Sequence, residues 1–302
     1  MIIGSHVSFG AGQLLGSVKE AISYGANTFM FYTGAPQNTI RKTINEELIK
    51  EAHDLMQNNN IDINHVICHA PYIINLANNL EESKYNFSIT FLKGEITRCE
   101  EMGIKYIVLH PGSSVSINRE VALQNIIFAL NQVLNNSTKV TILLETMAGK
   151  GTELGSTLEE IKTIIDGVVE KDKIGVCIDT CHLNDAGYNI HEFNEFLDQF
   201  EQIIGISKIK CVHVNDSKNA LGAHKDRHAN IGFGSLGFGT IYNVVNHEKL
   251  KEVPKILETP YIGNFDEDKE RLYPPYKFEI AMLKEGKFNE QLLENIREYY
   301  KK

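Results

Sequence analysis

Ile174-Gly175-Val176-Cys177-Ile178-Asp179 is a short apolar run, rich in β-branched side chains, that ends in a carboxylate. A run of this length and composition reads as a buried strand. The same design recurs on both sides of it, at residues 2–7, 28–32, 61–69, 106–110, 140–145, 209–214 and 253–258, giving eight strands with 174–179. Between them, apolar residues fall at spacings of three and four, as in Leu15, Val18, Ala21 and Ile22, or Leu158, Ile161, Ile164 and Ile165. That is the helical period. Thr157 and Glu160 predict a capping box for the second of these helices. Strands alternating with helices imply parallel β/α units, and eight units imply an α/β fold of the (β/α)8 TIM-barrel type. No linker, low-complexity segment or short repeat interrupts residues 1–302, which are expected to form a single domain.

The tips of these strands carry the chemistry. Six of the eight bear a metal-capable side chain at the C-terminal end: His69, His110, Glu145, Asp179, His213 and Glu258. In a TIM barrel that end is where active sites are built. Side chains alternate along a strand, so the residues two positions earlier should point the same way, one layer deeper. Those residues are Ile67, Val108, Leu143, Cys177, Cys211 and Ile256, all apolar and suited to a packed barrel interior. Cys177 and Cys211 are thus expected to be core filler.

Three more ligand types lie just past strand ends: His182, Asp226 and His228. A lone strand-end His is more often a hydrogen-bonded structural group, and a lone Asp there is more often a helix cap. Nine together reverse that reading, because four carboxylates gathered at one mouth without a cation would repel one another. Imidazole favours zinc, iron or manganese over magnesium. Five histidines and four carboxylates exceed one or two sites and suit three metals, one carboxylate bridging. His6 ends the first strand and faces the same mouth as a supporting residue, whereas His53, His65, His191, His224 and His247 are expected in solvent.

Composition sets limits. The 302 residues are 42% hydrophobic and 23% charged, enough for a sizeable core. No apolar run reaches the ~18 residues of a membrane span, and the N-terminus lacks a basic stretch followed by an apolar one, so a cytoplasmic location without membrane contact is expected. Five cysteines without a Cys-x-x-Cys pair argue against a disulfide framework and against a cysteine zinc knuckle. The net charge of −9 argues against general nucleic-acid affinity, which is dominated by phosphate neutralisation. Residues 208–227 hold a local exception: Lys208, Lys210, Lys218, Lys225 and Arg227 against Asp216 and Asp226.

Beyond spacing, several segments carry a specific resemblance. His69-Ala70-Pro71-Tyr72-Ile73-Ile74-Asn75-Leu76-Ala77, the run from Gly175 to His182, and His213-Val214-Asn215-Asp216-Ser217-Lys218 resemble signatures of the endonuclease IV family, as do Asp226-Arg227-His228 and Glu258-Thr259-Pro260. The resemblance runs in order along nearly the whole chain. It implies an apurinic/apyrimidinic endonuclease of base-excision DNA repair with three zinc ions per chain. His69, His110 and Glu145 would hold the first; Glu145, Asp179, His213 and Glu258 the second; His182, Asp226 and His228 the third. Catalysis would depend on Glu145 and Glu258. The implied partner of this monomer is double-stranded DNA bearing an abasic site, cut on its 5′ side to leave a 3′-hydroxyl, or DNA with a blocked 3′ end.

By the same resemblance, Tyr72 and Asn75 would contact DNA, and from the basic run at 208–227 Lys218 and Arg227 are expected to bind DNA as well. The 33–39 loop is small and neutral until Arg41, an unpromising wedge, although Gln37 or Asn38 is placed to meet a groove edge. The 232–237 run fits Gly-x-Gly-x-x-Gly without following a strand, which suggests amides approaching a phosphate, or a plain turn. Two other functions use overlapping residues. A divalent-metal sugar isomerase or epimerase would need Glu145, Asp179, His213 and Glu258, leaving five ligands without a purpose. A non-catalytic lesion-binding barrel would not be expected to keep all nine.

Overall fold

In the computed structural model, which describes residues 1–266 and 268–301, the 174–179 run is a fully buried strand in the wall of a closed barrel. The strands are β1 (Ile3–His6), β2 (Thr28–Phe31), β3 (Ile67–His69), β4 (Tyr106–Leu109), β5 (Thr141–Glu145), β6 (Ile174–Asp179), β7 (Ile209–Val214), the short β8 (Asp216–Ser217) and β9 (His228–Ala229), and β10 (Lys255–Leu257). Eight of them close the barrel in the order β1-β10-β7-β6-β5-β4-β3-β2, every neighbouring pair parallel. β8 and β9 form a separate antiparallel ribbon.

Helices α1 (Gln13–Ser23), α2 (Glu46–Asn58), α3 (Glu82–Met102), α4 (Arg119–Val133), α5 (Leu158–Gly167), α6 (Thr180–Ala186), α7 (Phe193–Ile203), α8 (Gly237–Val245), α9 (Tyr276–Glu285) and α10 (Leu292–Tyr300) complete the chain. Most of the apolar core lies between helices and the outer face of the sheet. A smaller cluster fills the barrel itself: Met30, Ile67, Val108, Leu143, Cys177, Cys211 and Ile256, all fully buried. These are the six residues expected from alternation, joined by Met30. Gly4 has no room for a side chain, since a Cβ there would meet the Thr28 carbonyl oxygen at 1.8 Å. That contact lets β1 and β2 close against each other.

Two expectations change in detail. The 61–69 run is a strand only over its last three residues; Asp62 accepts the Asn64 N–H at 2.9 Å and turns 63–65 into a 3-10 helix. A local side-chain acceptor outcompetes the ladder there. The capping box at α5 is half built. Thr157 accepts the Glu160 N–H at 3.2 Å, but the Glu160 carboxylate turns to Arg119 and to the Gly155 N–H. Among the described residues, no helix is long and apolar enough to cross a membrane.

Candidate metal centre

At the C-terminal mouth the six strand-end ligand types converge on Glu145, which is fully buried. Its Oε2 lies 3.2 Å from His69 Nε2 and 3.1 Å from His110 Nε2. Its Oε1 lies 3.1 Å from His213 Nδ1 and 3.3 Å from His182 Nδ1. One carboxylate therefore faces both ways. His213 Nδ1 is also 3.0 Å from Glu258 Oε2 and 3.9 Å from Asp179 Oδ2. On the far side, His182 Nε2 and His228 Nε2 approach Asp226 Oδ1 at 3.1 and 3.5 Å. The nine residues fall into three groups whose ligand atoms lie within 4.8 Å of one another: His69, His110 and Glu145; Glu145, Asp179, His213 and Glu258; His182, Asp226 and His228.

The sequence builds this mouth by local rules. Register pairs Asp179 with His213 on β6 and β7 and sets both at the rim. Asp179 also caps α6, its Oδ1 accepting the His182 N–H at 2.8 Å, which fixes the turn that presents His182. The second ring nitrogens are tied down as well. His69 Nδ1 lies 2.7 Å from the Ala70 carbonyl, His182 Nδ1 2.9 Å from that of Thr146, and His228 Nδ1 3.2 Å from that of Glu258. Such partners orient ligating histidines.

Several supporting residues were not singled out by spacing. Asn215 donates to Asp179 Oδ2 at 2.8 Å and accepts the Glu258 N–H at 3.0 Å, bridging two ligand strands. Thr146 Oγ1 accepts the Asp179 N–H at 3.0 Å. Buried Asp185 gathers the donors of the loop that carries Asp226. Their only sequence signal is that they lie within a few residues of a ligand type. His6 does face the mouth: its ring centroid is 5.2 Å from Tyr32, whose ring is 4.9 Å from His69.

The charge balance fits cation binding. Among the described residues, every ion-pair partner of Glu145, Asp179, Asp226 and Glu258 is a histidine; no Lys or Arg reaches them. Burial alone would push the Glu145 carboxyl up, yet His213 and His110 hold it well below the usual carboxylate range. Burial disfavours charge on His182 and His213 too, but Asp179 beside the first, and Cys177 with Glu258 beside the second, raise them well above an ordinary imidazole. His228 Nε2 is buried, turned toward two carboxylates and has no hydrogen-bond partner. An unpaired buried nitrogen is costly in a centre that holds only protons, and it is a ready ligand for a cation. The residues present therefore fit divalent metals.

Around the mouth, Tyr72 is 53% exposed. Asn75 is half-buried and fully engaged: it donates to the Ser113 carbonyl at 2.9 Å and accepts the N–H groups of Ala77 and Ser113 at 3.0 and 3.1 Å. Exposed Lys218 and Arg227 face each other across the ribbon, joined by a 2.9 Å backbone bond. Arg41 is turned inward, 2.7 Å from Glu95 and over the Phe91 ring, so the 33–39 loop gains no basic tip from it.

The 232–237 loop departs from the phosphate expectation. The N–H groups of Gly232, Gly234, Leu236 and Gly237 donate to the buried Asp216 carboxylate at 3.0–3.2 Å. A Cβ on Gly234 would sit 2.3 Å from Asp216 Oδ1, so glycine is required for that approach. The anion this loop cradles belongs to the protein. Of the histidines expected in solvent, His53 and His224 are instead anchored, with ring nitrogens 2.9 Å and 3.0 Å from the carbonyls of Met102 and Ala148.

Barrel and mouth together define a class, the xylose isomerase-like TIM barrels, whose family model matches residues 18–284. Within that class the likeness narrows. The chain is 53% identical over 298 residues to the probable endonuclease 4 of Oceanobacillus iheyensis, covering 98% of this chain and 99% of the relative. It is 55% identical over 296 residues to the protein of the same name from Acholeplasma laidlawii, with 97% and 98% covered. The solved structure of endonuclease IV from Thermus thermophilus superposes with a TM-score of 0.78 at 25% identity, over 94% of this chain and 98% of that one. A D-tagatose 3-epimerase-like protein shares the fold, with a TM-score of 0.66 at 21% identity over 99% and 100% of the two chains. The chain belongs to the endonuclease IV family.

Proposed function

We propose that this protein is a zinc-dependent repair endonuclease. It would hydrolyse the phosphodiester on the 5′ side of an abasic site in double-stranded DNA, leave a 3′-hydroxyl, and clear blocked 3′ ends. The carrying observation is Glu145, a buried carboxylate whose two oxygens serve separate histidine groups at 3.1–3.3 Å. We assign His69, His110 and Glu145 to one zinc, Glu145, Asp179, His213 and Glu258 to a second, and His182, Asp226 and His228 to a third. Bound zinc supplies Lewis acidity, lowering the proton affinity of water and neutralising phosphoryl charge.

The chain's own groups do the rest. Glu145 and Glu258 hold the histidines in register and, as zinc ligands, would set where the cations meet the attacked phosphate. Tyr72 offers an exposed flat ring to the gap left by a missing base. Lys218 and Arg227 contact phosphates flanking the lesion, and Asn75 holds the loop that presents Tyr72. Three divalent cations outweigh four carboxylates, so an acidic protein presents a cationic mouth. Residues 1–302 act as one nuclease domain, in a cytoplasmic monomer.

The test is a duplex oligonucleotide carrying one abasic analogue, incubated with the zinc-replete protein. A single nick 5′ to the lesion is expected, lost in Glu145→Gln and Glu258→Gln. No nick, or a nick indifferent to both substitutions, overturns the proposal. Metal analysis should find about three zinc ions per chain; one or two would instead favour an epimerase-type centre.

A further inference from the structure

Metal-ligating histidines almost always tie their second nitrogen to a carbonyl, carboxylate or water. His69, His182 and His228 follow that rule with backbone carbonyls. His213 is different. Its Nδ1 faces Glu145 and Glu258, while its Nε2 is fully buried and has no hydrogen-bond partner. Inside a closed barrel the strand carbonyls are spent on neighbouring strands, and the layer beneath is otherwise Met30, Ile67, Val108, Leu143 and Ile256. Two polarisable groups remain. Cys211 sits two residues before His213 on the same strand face, and Cys177 is the register partner of Cys211 on β6. Both thiols and a ring nitrogen of His213 lie within 4.8 Å of one another.

We propose that Cys177 and Cys211 are positioning residues for the metal centre, their thiols serving as the partner of His213 Nε2 and holding Nδ1 toward Glu145 and Glu258. The inference rests on His213 being a metal ligand. A thiol suits the task for a reason a carbonyl does not share. It both donates and accepts, weakly. A ligating Nδ1 requires the proton on Nε2, which the sulfur accepts; with the proton on Nδ1, the S–H donates to Nε2 instead. Either tautomer of the buried nitrogen can thus be met by a turn of a neighbouring thiol. Packing alone explains why these positions are small; it does not explain why the apolar layer places two thiols beside a histidine whose buried Nε2 has no hydrogen-bond partner.

The experiment uses the full chain loaded with zinc, with affinity read by chelator competition and ring protonation by nitrogen-15 NMR of labelled histidine. In the wild type, His213 Nε2 should give the signal of a protonated nitrogen. Cys177→Ala with Cys211→Ala should weaken zinc at the His213 site by about 10–100-fold and move that signal. The matched serine pair should restore affinity to within a few-fold, since serine regains a donor and an acceptor at nearly alanine size. Unchanged affinity and signal in the alanine pair, or serine no better than alanine, overturns the proposal. Should the variants fail to fold, an unprotonated Nε2 in the zinc-loaded wild type overturns it alone. His213→Ala separates the levels: retention of all zinc there sinks the ligand assignment, and this proposal with it.

Discussion

Asp185 Oδ2 accepts the backbone N–H of Asp226 at 2.9 Å, tying a helix of the barrel rim to a ligand-bearing loop forty-one residues away. The same carboxylate takes the Ser217 hydroxyl at 2.7 Å and the side-chain amides of Asn219 and Asn184 at 2.7 and 3.0 Å. Asp226 needs the help, because its φ of +56° lies in the left-handed region that non-glycine residues avoid. Asp185→Ala should therefore release Asp226, strip metal from the group it shares with His182 and His228, and spare the Glu145 groups. Each stranded buried donor costs about 1–3 kcal/mol. Metal analysis alongside denaturant unfolding reads both effects; an intact metal complement would refute the hub role.

Burial pushes the Glu279 carboxyl up to about 7, against 4.5 for an unconstrained glutamate, even though it accepts from Thr259, Ile231 and Asn230. The native chain thus keeps a proton there that the unfolded chain gives up. Stability from this group is complete below pH 4.5 and declines as pH rises to about 7. A shift of this size corresponds to roughly 3 kcal/mol. Glu279→Gln should remove that decline, so its unfolding free energy should change less between pH 5 and 8 than the wild type's. Parallel curves would rule the effect out.

Removing metal should destabilise the protein more at pH 8 than at pH 6. In the metal-free centre His182 and His213 hold protons above the usual imidazole range, so their pairing with carboxylates supports the fold below pH 6.5 and fades as pH rises through their raised values. The lowered Glu145 and Glu258 contribute above pH 4.5 and lose that support as pH falls through their depressed values. Protons compete with metal for these atoms. The drop in melting temperature on adding a chelator, measured at both pH values, should be larger at pH 8; the reverse order contradicts the assignment.

Tyr72→Ala should weaken binding to an abasic duplex by about 1–3 kcal/mol, the usual worth of a base-sized stacking contact. Zinc content should stay unchanged, because Tyr72 is exposed and offers no ligand atom to any of the three groups. Fluorescence anisotropy on the duplex, paired with metal analysis, tests this. Parallel loss of zinc would make Tyr72 structural.

Lys218→Gln and Arg227→Gln should each lower the slope of log affinity against log salt by about 1, if each contacts one phosphate. Catalysis at saturating DNA should be little affected. A slope that does not move would place the phosphate contacts elsewhere on the mouth.

Much of the centre was legible before any coordinates, because both periodicities are local. Alternation predicted the filling of the barrel interior, and all six expected residues lie there. The strand tips carried the ligand types because the chain can end a strand only in sequence order. What failed to show were partnerships across distance. Asn75 reads as a surface amide suited to DNA, yet it makes three hydrogen bonds within the protein, two of them to Ser113 in the loop after β4. The glycine-rich 232–237 run reads as an anion cradle, and it is one; only the fold reveals that Asp216 already occupies it. Asp185 carries no motif signal at all.

The sequence by itself determined the barrel, its interior layer and the set of side chains at its mouth, since these follow from the spacing of apolar and ionisable residues along single elements. The division of those side chains into groups, with Glu145 in two of them, was implied by the family resemblance and not by spacing; only the tertiary structure decided the distances within each group, and that thiols rather than a carbonyl lie near His213. The reason is physical: spacing along a strand fixes which face a residue takes, whereas hydrogen-bond and ligand geometry depends on distances between strands, which barrel closure alone sets.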